Sequence, residues 1–455
     1  MTHHYPKWLY KAPKREHPVD DVKEPNLLRD MFPYTEVPRI EIEDTIVPME
    51  PAEEIWITDT TFRDGQQSRP PYSVENIVKI YDLMHELGGP NGIIRQSEFF
   101  IYTEKDREAV EKCLAKGYEY PELTSWIRAN PKDFEIVKQM GLKETGMLTS
   151  ISDYHIFLKF GKTRQQVIDD FMKVVESAAE AGLKAIRCHF EDITRADFWG
   201  CVVPFAERLM RFSEESGLYI KIRLCDTMGY GVPWSEAALP RGVPKMIYYL
   251  KKELGITSDR LEWHGHNDFH LVLANPVAAW LYGCSAANGS LFGIGERCGN
   301  PPLEGLAITY AELTGTTNGM NFHAITELAN YFREMGVDIP NNYPFVGRDF
   351  NVTRAGIHAD GCIKNEEIYN IFDTTKILNK PYGVAVTDKS GVAGIALWYN
   401  QYLGLEGEKA IDKKHPGVAE IYKWVMEQYD QKRTTAISPE ELIELGKKHL
   451  GDYFK

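Results

Sequence analysis

The 455 residues include 52 Lys and Arg against 66 Asp and Glu, a formal net charge of −14. That balance argues against nucleic acid or an anionic membrane as the main partner, because both demand a dominant basic surface, but it leaves room for a small anion in a locally cationic pocket. With 43% hydrophobic and 26% charged residues, the chain can bury a large core, and its length suggests one large domain with a smaller appendage.

The opening stretch "MTHHYPKWLYKAPKREH" lacks the apolar core of a secretory signal. No apolar run approaches the ~20 residues of a spanning helix. The 7 cysteines, with no CxxC spacing, read as reduced thiols. A cytoplasmic protein is therefore expected. Residues 1–52 are rich in Pro and charge, which predicts an extended arm able to wrap a neighbour.

From residue 53 onward short β-rich runs alternate with helical periodicity. "IWITDTT" precedes "VENIVKIYDLMHELG", and "GIIRQSEFF" precedes "EKDREAVEKCLAKG". The later runs are "LTSWIRA", "KETGMLTSIS", "LKAIRCHFED", "LYIKIRLCDTMG", "RLEWHGHND" and "CSAANGSLFGIGE". Most are followed by a helical segment, such as "RQQVIDDFMKVVESAAEAG". Eight βα units in a row predict an α/β fold, a (β/α)8 TIM barrel over residues 53–314. A doubly wound sheet is the alternative. The barrel accounts better for polar clusters at the strand ends, since closure brings those ends onto one face. Residues 315–395 read as a linker and lid carrying "RAGIHADG", and 396–455 as a mainly helical C-terminal region.

"HGHND" places His264 and His266 two apart at a strand end, so both imidazoles face one way and can meet one cation. By itself the stretch fits a hydrogen-bonded polar turn equally well. Barrel closure adds Asp64 after the first strand and Asn300 after the eighth. One carboxylate, two imidazoles and one amide oxygen make a mixed site suited to Mn²⁺, Mg²⁺, Co²⁺ or Zn²⁺. The glycines of "GIGERCG" depart from the dinucleotide-binding spacing and end a late strand.

Five co-linear motifs between Ile55 and Gly394, "DTTFRDGQQ", "DTMGYG", "HGHND", "GIGERCGN" and "AGIHADGCIK", resemble those of the DRE-TIM metallolyase superfamily. The likeness is to its Claisen-condensing branch, which holds 2-isopropylmalate synthase, homocitrate synthase and Re-type citrate synthase. The resemblance implies an acyltransferase that joins acetyl-CoA to a 2-oxo acid and releases CoA, with a divalent metal, Mn²⁺ first among the candidates. It implies Asp64, His264, His266 and Asn300 as ligands and Arg63 facing the keto oxygen. Gln67, Glu98, Arg187, Glu191 and Thr227 fall on substrate-binding positions. His358 falls on the lid base that deprotonates the acetyl methyl group in a partner subunit, and Tyr382 on its helper. A homodimer with an exchanged lid follows from that lid histidine.

Glu262 could orient a ligand histidine, and His270 reads as a packing residue. The chain after Gly394 is short for the leucine-sensing domain of 2-isopropylmalate synthases. Cys298 lies in a context unlike that of the cleaving lyases, and an inert scaffold would require missing ligands, whereas all are present. Arg95, Arg128, Arg187 and His189 offer cations for a second substrate carboxylate. The arm and "QSEFFIYTEKD" resemble the Re-type citrate synthases most, so oxaloacetate is the expected acid and a place in the tricarboxylic acid cycle the expected role. 2-Oxoglutarate and then 2-oxoisovalerate are the alternatives.

Overall fold

Eight parallel strands alternate with helices in the order that the hydrophobic pattern predicts. The computed structural model describes residues 16–454. The strands are β1 (Trp56–Asp59), β2 (Ile94–Phe99), β3 (Glu122–Ile127), β4 (Glu144–Ser150), β5 (Ala185–Glu191), β6 (Tyr219–Asp226), β7 (Leu261–Gly265) and β8 (Ala286–Gly289). They close into a barrel in sequence order, with β8 returning to β1 through Trp56 beside Ala286 and Asp59 beside Gly289. The helices around it are α1 (Val74–Gly88), α2 (Glu104–Leu114), α3 (Asp133–Gln139), α4 (Asp153–Ile156), α5 (Arg164–Glu180), α6 (Val203–Ser216), α7 (Val243–Leu254), α8 (Ala274–Leu281) and α9 (Leu303–Thr314). Capping boxes at Ser73, Thr103 and Thr163 start α1, α2 and α5 by satisfying exposed backbone N–H groups.

Strand periodicity sorts the side chains. Along β5, Ile186, Cys188 and Phe190 face outward, and Phe190 stacks on Phe205 of α6 with ring centroids 5.0 Å apart. Arg187 and His189 face inward. The interior is consequently charged where an aliphatic core is usual for this fold. Arg187 pairs with Glu98 at 2.7 Å, Glu144 at 3.0 Å and Glu262 at 3.1 Å, while Arg223 meets Glu98 and Glu262, both at 3.0 Å. Lys221 closes the lower layer on Glu144 at 2.8 Å. Burial opposes ionisation of Glu262, but Arg187 and Arg223 outweigh it and hold the carboxyl down to about 2.

The arm, in its described part, has no helix or strand and lies along its own barrel. Arg164 donates to the Asp20 carbonyl at 2.9 Å, and the Asn26 amide donates to Asp153 at 2.7 Å. An isolated antiparallel bridge joins Ile42 to Ala237.

The chain divides into two compact units, 1–321 and 322–455. The second contains α10 (His323–Glu334), α11 (Gly356–Lys364), α12 (Thr374–Leu378), α13 (Gly391–Leu403), α14 (Pro416–Asp430) and α15 (Pro439–His449), with a two-stranded parallel ladder of β9 (Val352–Thr353) and β10 (Gly383–Val384). Its core gathers Ile395, Tyr399, Ile421, Val425 and Leu442, and the Tyr399 hydroxyl donates to the Leu442 carbonyl at 2.6 Å. The region expected as lid and the helical C-terminus thus share this unit. Among the described residues no helix is long and apolar enough to cross a membrane.

Removing one partner of a buried ion pair leaves its counter-charge uncompensated. Arg223→Met is expected to destabilise the fold by about 3–5 kcal/mol in denaturant unfolding. Glu262, held low, contributes stability that is complete above its ordinary 4.5 and is lost as pH falls toward about 2. The acid side of the variant's stability profile should accordingly be flatter, and a change below 1 kcal/mol would refute a structural role for the network.

Candidate active site

The strand ends build the site upward from the charged interior. Arg63 follows β1, and its guanidinium donates from Nε to Glu98 at 2.8 Å and from Nη1 to Asp64 at 2.7 Å. Burial opposes the Asp64 charge, but Arg63 and the two histidines hold the carboxylate below its usual range. Its Oδ2 receives the Asn300 amide at 2.8 Å and lies 3.4 Å from His264 Nε2 and 3.8 Å from His266 Nε2. Asp64, His264 and His266 are all buried and can turn one ligand atom each to a common point.

The histidine tautomer follows from a chain of hydrogen bonds. Asn288, facing inward on β8, donates to the Thr58 hydroxyl oxygen at 2.9 Å, so its amide oxygen is turned to His264 Nδ1 at 2.8 Å. Nδ1 must then carry the proton, and the Nε2 lone pair points at Asp64. Burial also pushes the pKa of both histidines down, which keeps the imidazoles neutral. The His264 lone pair and the Asp64 carboxylate converge with no proton between them. His266 Nδ1 and Asn300 Oδ1 are buried without a hydrogen-bond partner among the described residues. This donor set fits a divalent cation held by Asp64, His264 and His266, with Asn300 alongside.

Above these residues opens a cavity of about 220 Å³. Arg63, Gln67, Glu191 and Thr227 line it with the three metal-type ligands, as do Trp126, Leu148, His189 and Arg297. The Thr227 hydroxyl is held by the Asp192 amide at 2.8 Å, and Glu191 by Ser150 and by His155 at 3.3 Å. Glu98 and Arg187 do not line the cavity. They lie in the interior network and position Arg63 from beneath.

Several sequence expectations fall elsewhere. Glu262 does not contact a histidine; it pairs with Arg187 and Arg223, and Asn288 takes the orienting position. Arg95 stacks on Trp56 at 4.3 Å and pairs with Glu54 at the opposite end of the barrel, while Arg128 is exposed and bound to Asp133. Neither can supply a cation to the cavity. His189 is there but uncharged, because burial and the neighbouring Arg223 lower its pKa far below the imidazole range. His270 is exposed in a left-handed turn with φ 62°, so it does not pack.

In the second unit His358 lies on α11 with its ring 4.2 Å from that of Tyr369, and Tyr382 is buried in the apolar cluster with Ala359 and Leu397. Sequence reasoning missed Asn288, Trp126 and Arg297. A lone Asn in the small-residue strand "AANG" was the available signal for the first. Arg297, which binds Asp268 at 2.9 Å, sits inside a motif already singled out.

Comparison with known proteins matches residues 54–332 to the HMGL-like family. The chain is 57% identical over 435 residues to a citrate (Re)-synthase of Syntrophus aciditrophicus, covering 95% of this chain and 69% of that one. It is 52% identical over 428 residues to a citrate (Re)-synthase of Clostridium kluyveri, covering 94% of each. The barrel also resembles the crystal structure of hydroxymethylglutaryl-CoA lyase from Pseudomonas aeruginosa, with a TM-score of 0.50 and 20% identity over 63% of this chain and 95% of that one, a likeness of fold.

One divalent cation per chain is expected on metal titration after chelator treatment. Asn288→Ala, which frees His264 to take either tautomer, should weaken that binding about 10–100-fold. Unchanged affinity would show that the chain from Thr58 through Asn288 does not set the ligand.

Proposed function

This chain belongs to the HMGL-like family of the DRE-TIM metallolyases, and from that premise we propose that it condenses acetyl-CoA with oxaloacetate to give citrate and free CoA. The observation that carries this reading is its similarity, across nearly the whole chain, to two citrate (Re)-synthases. The cavity supports it, being small and lined by groups suited to a compact oxo acid.

A divalent metal held by Asp64, His264 and His266, Mn²⁺ in our reading, would polarise the keto carbonyl of the 2-oxo acid as a Lewis acid. The residues of the chain do the rest. Arg63, fixed by Glu98 and Asp64, presents its remaining N–H groups where negative charge grows on the keto oxygen as the carbon–carbon bond forms. Such preorganised donors typically supply 10²–10³ in rate. The Thr227 hydroxyl and Arg297 offer hydrogen bonds to a carboxylate, and Gln67 and Glu191 complete the polar lining. We assign His358 the removal of a proton from the acetyl methyl group, with Tyr382 as its helper, acting in the site of a second copy of this chain. A general base is needed because a thioester α-proton is weakly acidic. Attack of the resulting enolate on C2 of oxaloacetate gives the citryl thioester. Water then cleaves the thioester bond, releasing citrate and CoA thiol. Seven unpaired cysteines support a reducing, cytoplasmic setting.

CoA-thiol release should be fastest with oxaloacetate when compared with 2-oxoglutarate, 2-oxoisovalerate and pyruvate in the presence of Mn²⁺. Another acid leading the series would keep the chemistry and overturn the substrate, and Arg63→Met should lower kcat about 10²–10³-fold with the preferred acid. Mixing inactive His358→Ala and His266→Ala proteins should restore part of the activity if the lid is exchanged between copies. No recovery after verified subunit exchange would refute the exchange.

A further inference from the structure

The cavity over the ligand residues holds about 220 Å³, whereas pockets for drug-sized ligands run from ~300 Å³ upward. It suits an oxo acid and an acetyl group but leaves most of coenzyme A outside. The remainder of the thioester substrate must lie along the barrel mouth.

A second groove, of about 380 Å³, opens beside α5 and is lined by Ala129, Phe160 and Phe171 with Lys159, Lys162 and Asp170. Two features join it to the cavity. Lys159 Nζ lies 3.7 Å from Glu191, which lines the cavity wall. The exit of β3 supplies Trp126 to the cavity and, three residues on, Ala129 to the groove.

The chemistry of the groove is that of a nucleotide site. Phe160 and Phe171 meet edge to face at 6.3 Å, and Phe160 is 37% exposed, leaving ring surface for a purine. Lys159 and Lys162 are half exposed. Lys162 and Lys173 both bind Asp170, at 2.6 and 3.4 Å, and Lys159 pairs with Glu191, so three cations meet two carboxylates. In a chain of net charge −14 this is a local positive field, and lysine has donors to spare for phosphate oxygens.

We propose that this groove binds the adenosine 3′-phosphate 5′-diphosphate end of acetyl-CoA, with the adenine against Phe160 and Phe171 and the phosphates on Lys159 and Lys162. The pantetheine arm passes over Lys159 into the cavity. The proposal rests on the acetyl-CoA reading above.

The test compares the parent full-length chain with a Lys162→Ala/Phe160→Ala double variant and with the single variant Lys162→Glu. Calorimetric Kd for free CoA should rise about tenfold or more in both variants, and KM for acetyl-CoA should rise with it. KM for S-acetyl-pantetheine, which lacks the nucleotide, should stay at the parent's value. An unchanged Kd for CoA, or an equal rise in KM for the two thioesters, overturns the groove. A parent that binds CoA with the expected variant response but releases no thiol from acetyl-CoA with any 2-oxo acid overturns the functional reading and leaves the groove standing.

Discussion

Glu98 carries the constraint on which the rest of the barrel depends. Its carboxylate is buried among three arginines, Arg63, Arg187 and Arg223, with N–O distances of 2.8, 2.7 and 3.0 Å. Desolvation opposes its charge, yet those cations, Arg223 foremost, hold it well below the ordinary carboxylate range. An isolated ion in that position would be very costly, and attraction repays the loss of water only when every donor and acceptor is met. Here Glu98, Glu144, Glu262 and Asp64 face Arg63, Arg187, Arg223 and Lys221, four charges of each sign. The interior is close to neutral and geometrically stiff. Because Arg63 belongs to it, the group that faces the cavity is aimed by the same contacts that stabilise the fold.

A second line of polar contacts serves the ligand pair. From Glu262 through the Thr58 hydroxyl to Asn288 and His264, each donor is committed by the one beneath it. The result is a single tautomer, with Nε2 as a bare lone pair turned to Asp64. Burial keeps the imidazole neutral, which is the state that can donate electrons to a cation. His264 is therefore set by residues that do not line the cavity, and the chain ends in the arginine network that fixes Arg63.

The barrel was legible because period-two strands and 3.6-period helices alternate without ambiguity, and closure then dictated that Asp64, His264, His266 and Asn300 would meet. Spacing could not tell which charges were inside. Arg95 and Arg187 stand on neighbouring parts of similar strands, but Arg95 is the second residue of β2 and emerges at the far end, while Arg187 points inward at mid-strand. The distinction depends on depth along the barrel axis, which sequence periodicity does not encode. His189 was read as a cation for the same reason; burial beside Arg223 makes it neutral. Asn288 was missed because an amide among alanines announces no chemistry until its partners across the barrel are known.

That arrangement narrows how the cavity can recognise an anion. Arg187 and Arg223 are engaged by carboxylates beneath the floor, and turning either toward a ligand would leave a buried glutamate unpaired. Arg63 has spare donors but is tied at two nitrogens to Glu98 and Asp64. Arg297 is different: it is partly exposed, its loop stands in a left-handed conformation at φ 53°, and its contacts to Asp268 and the Thr227 carbonyl lie at the rim. A substrate carboxylate beside Thr227 can recruit Arg297 without unpairing a buried charge. Discrimination among 2-oxo acids in the proposed reaction therefore falls to the wall of Trp126, Leu148 and His189, which limits length, and to the rim arginine, which supplies charge.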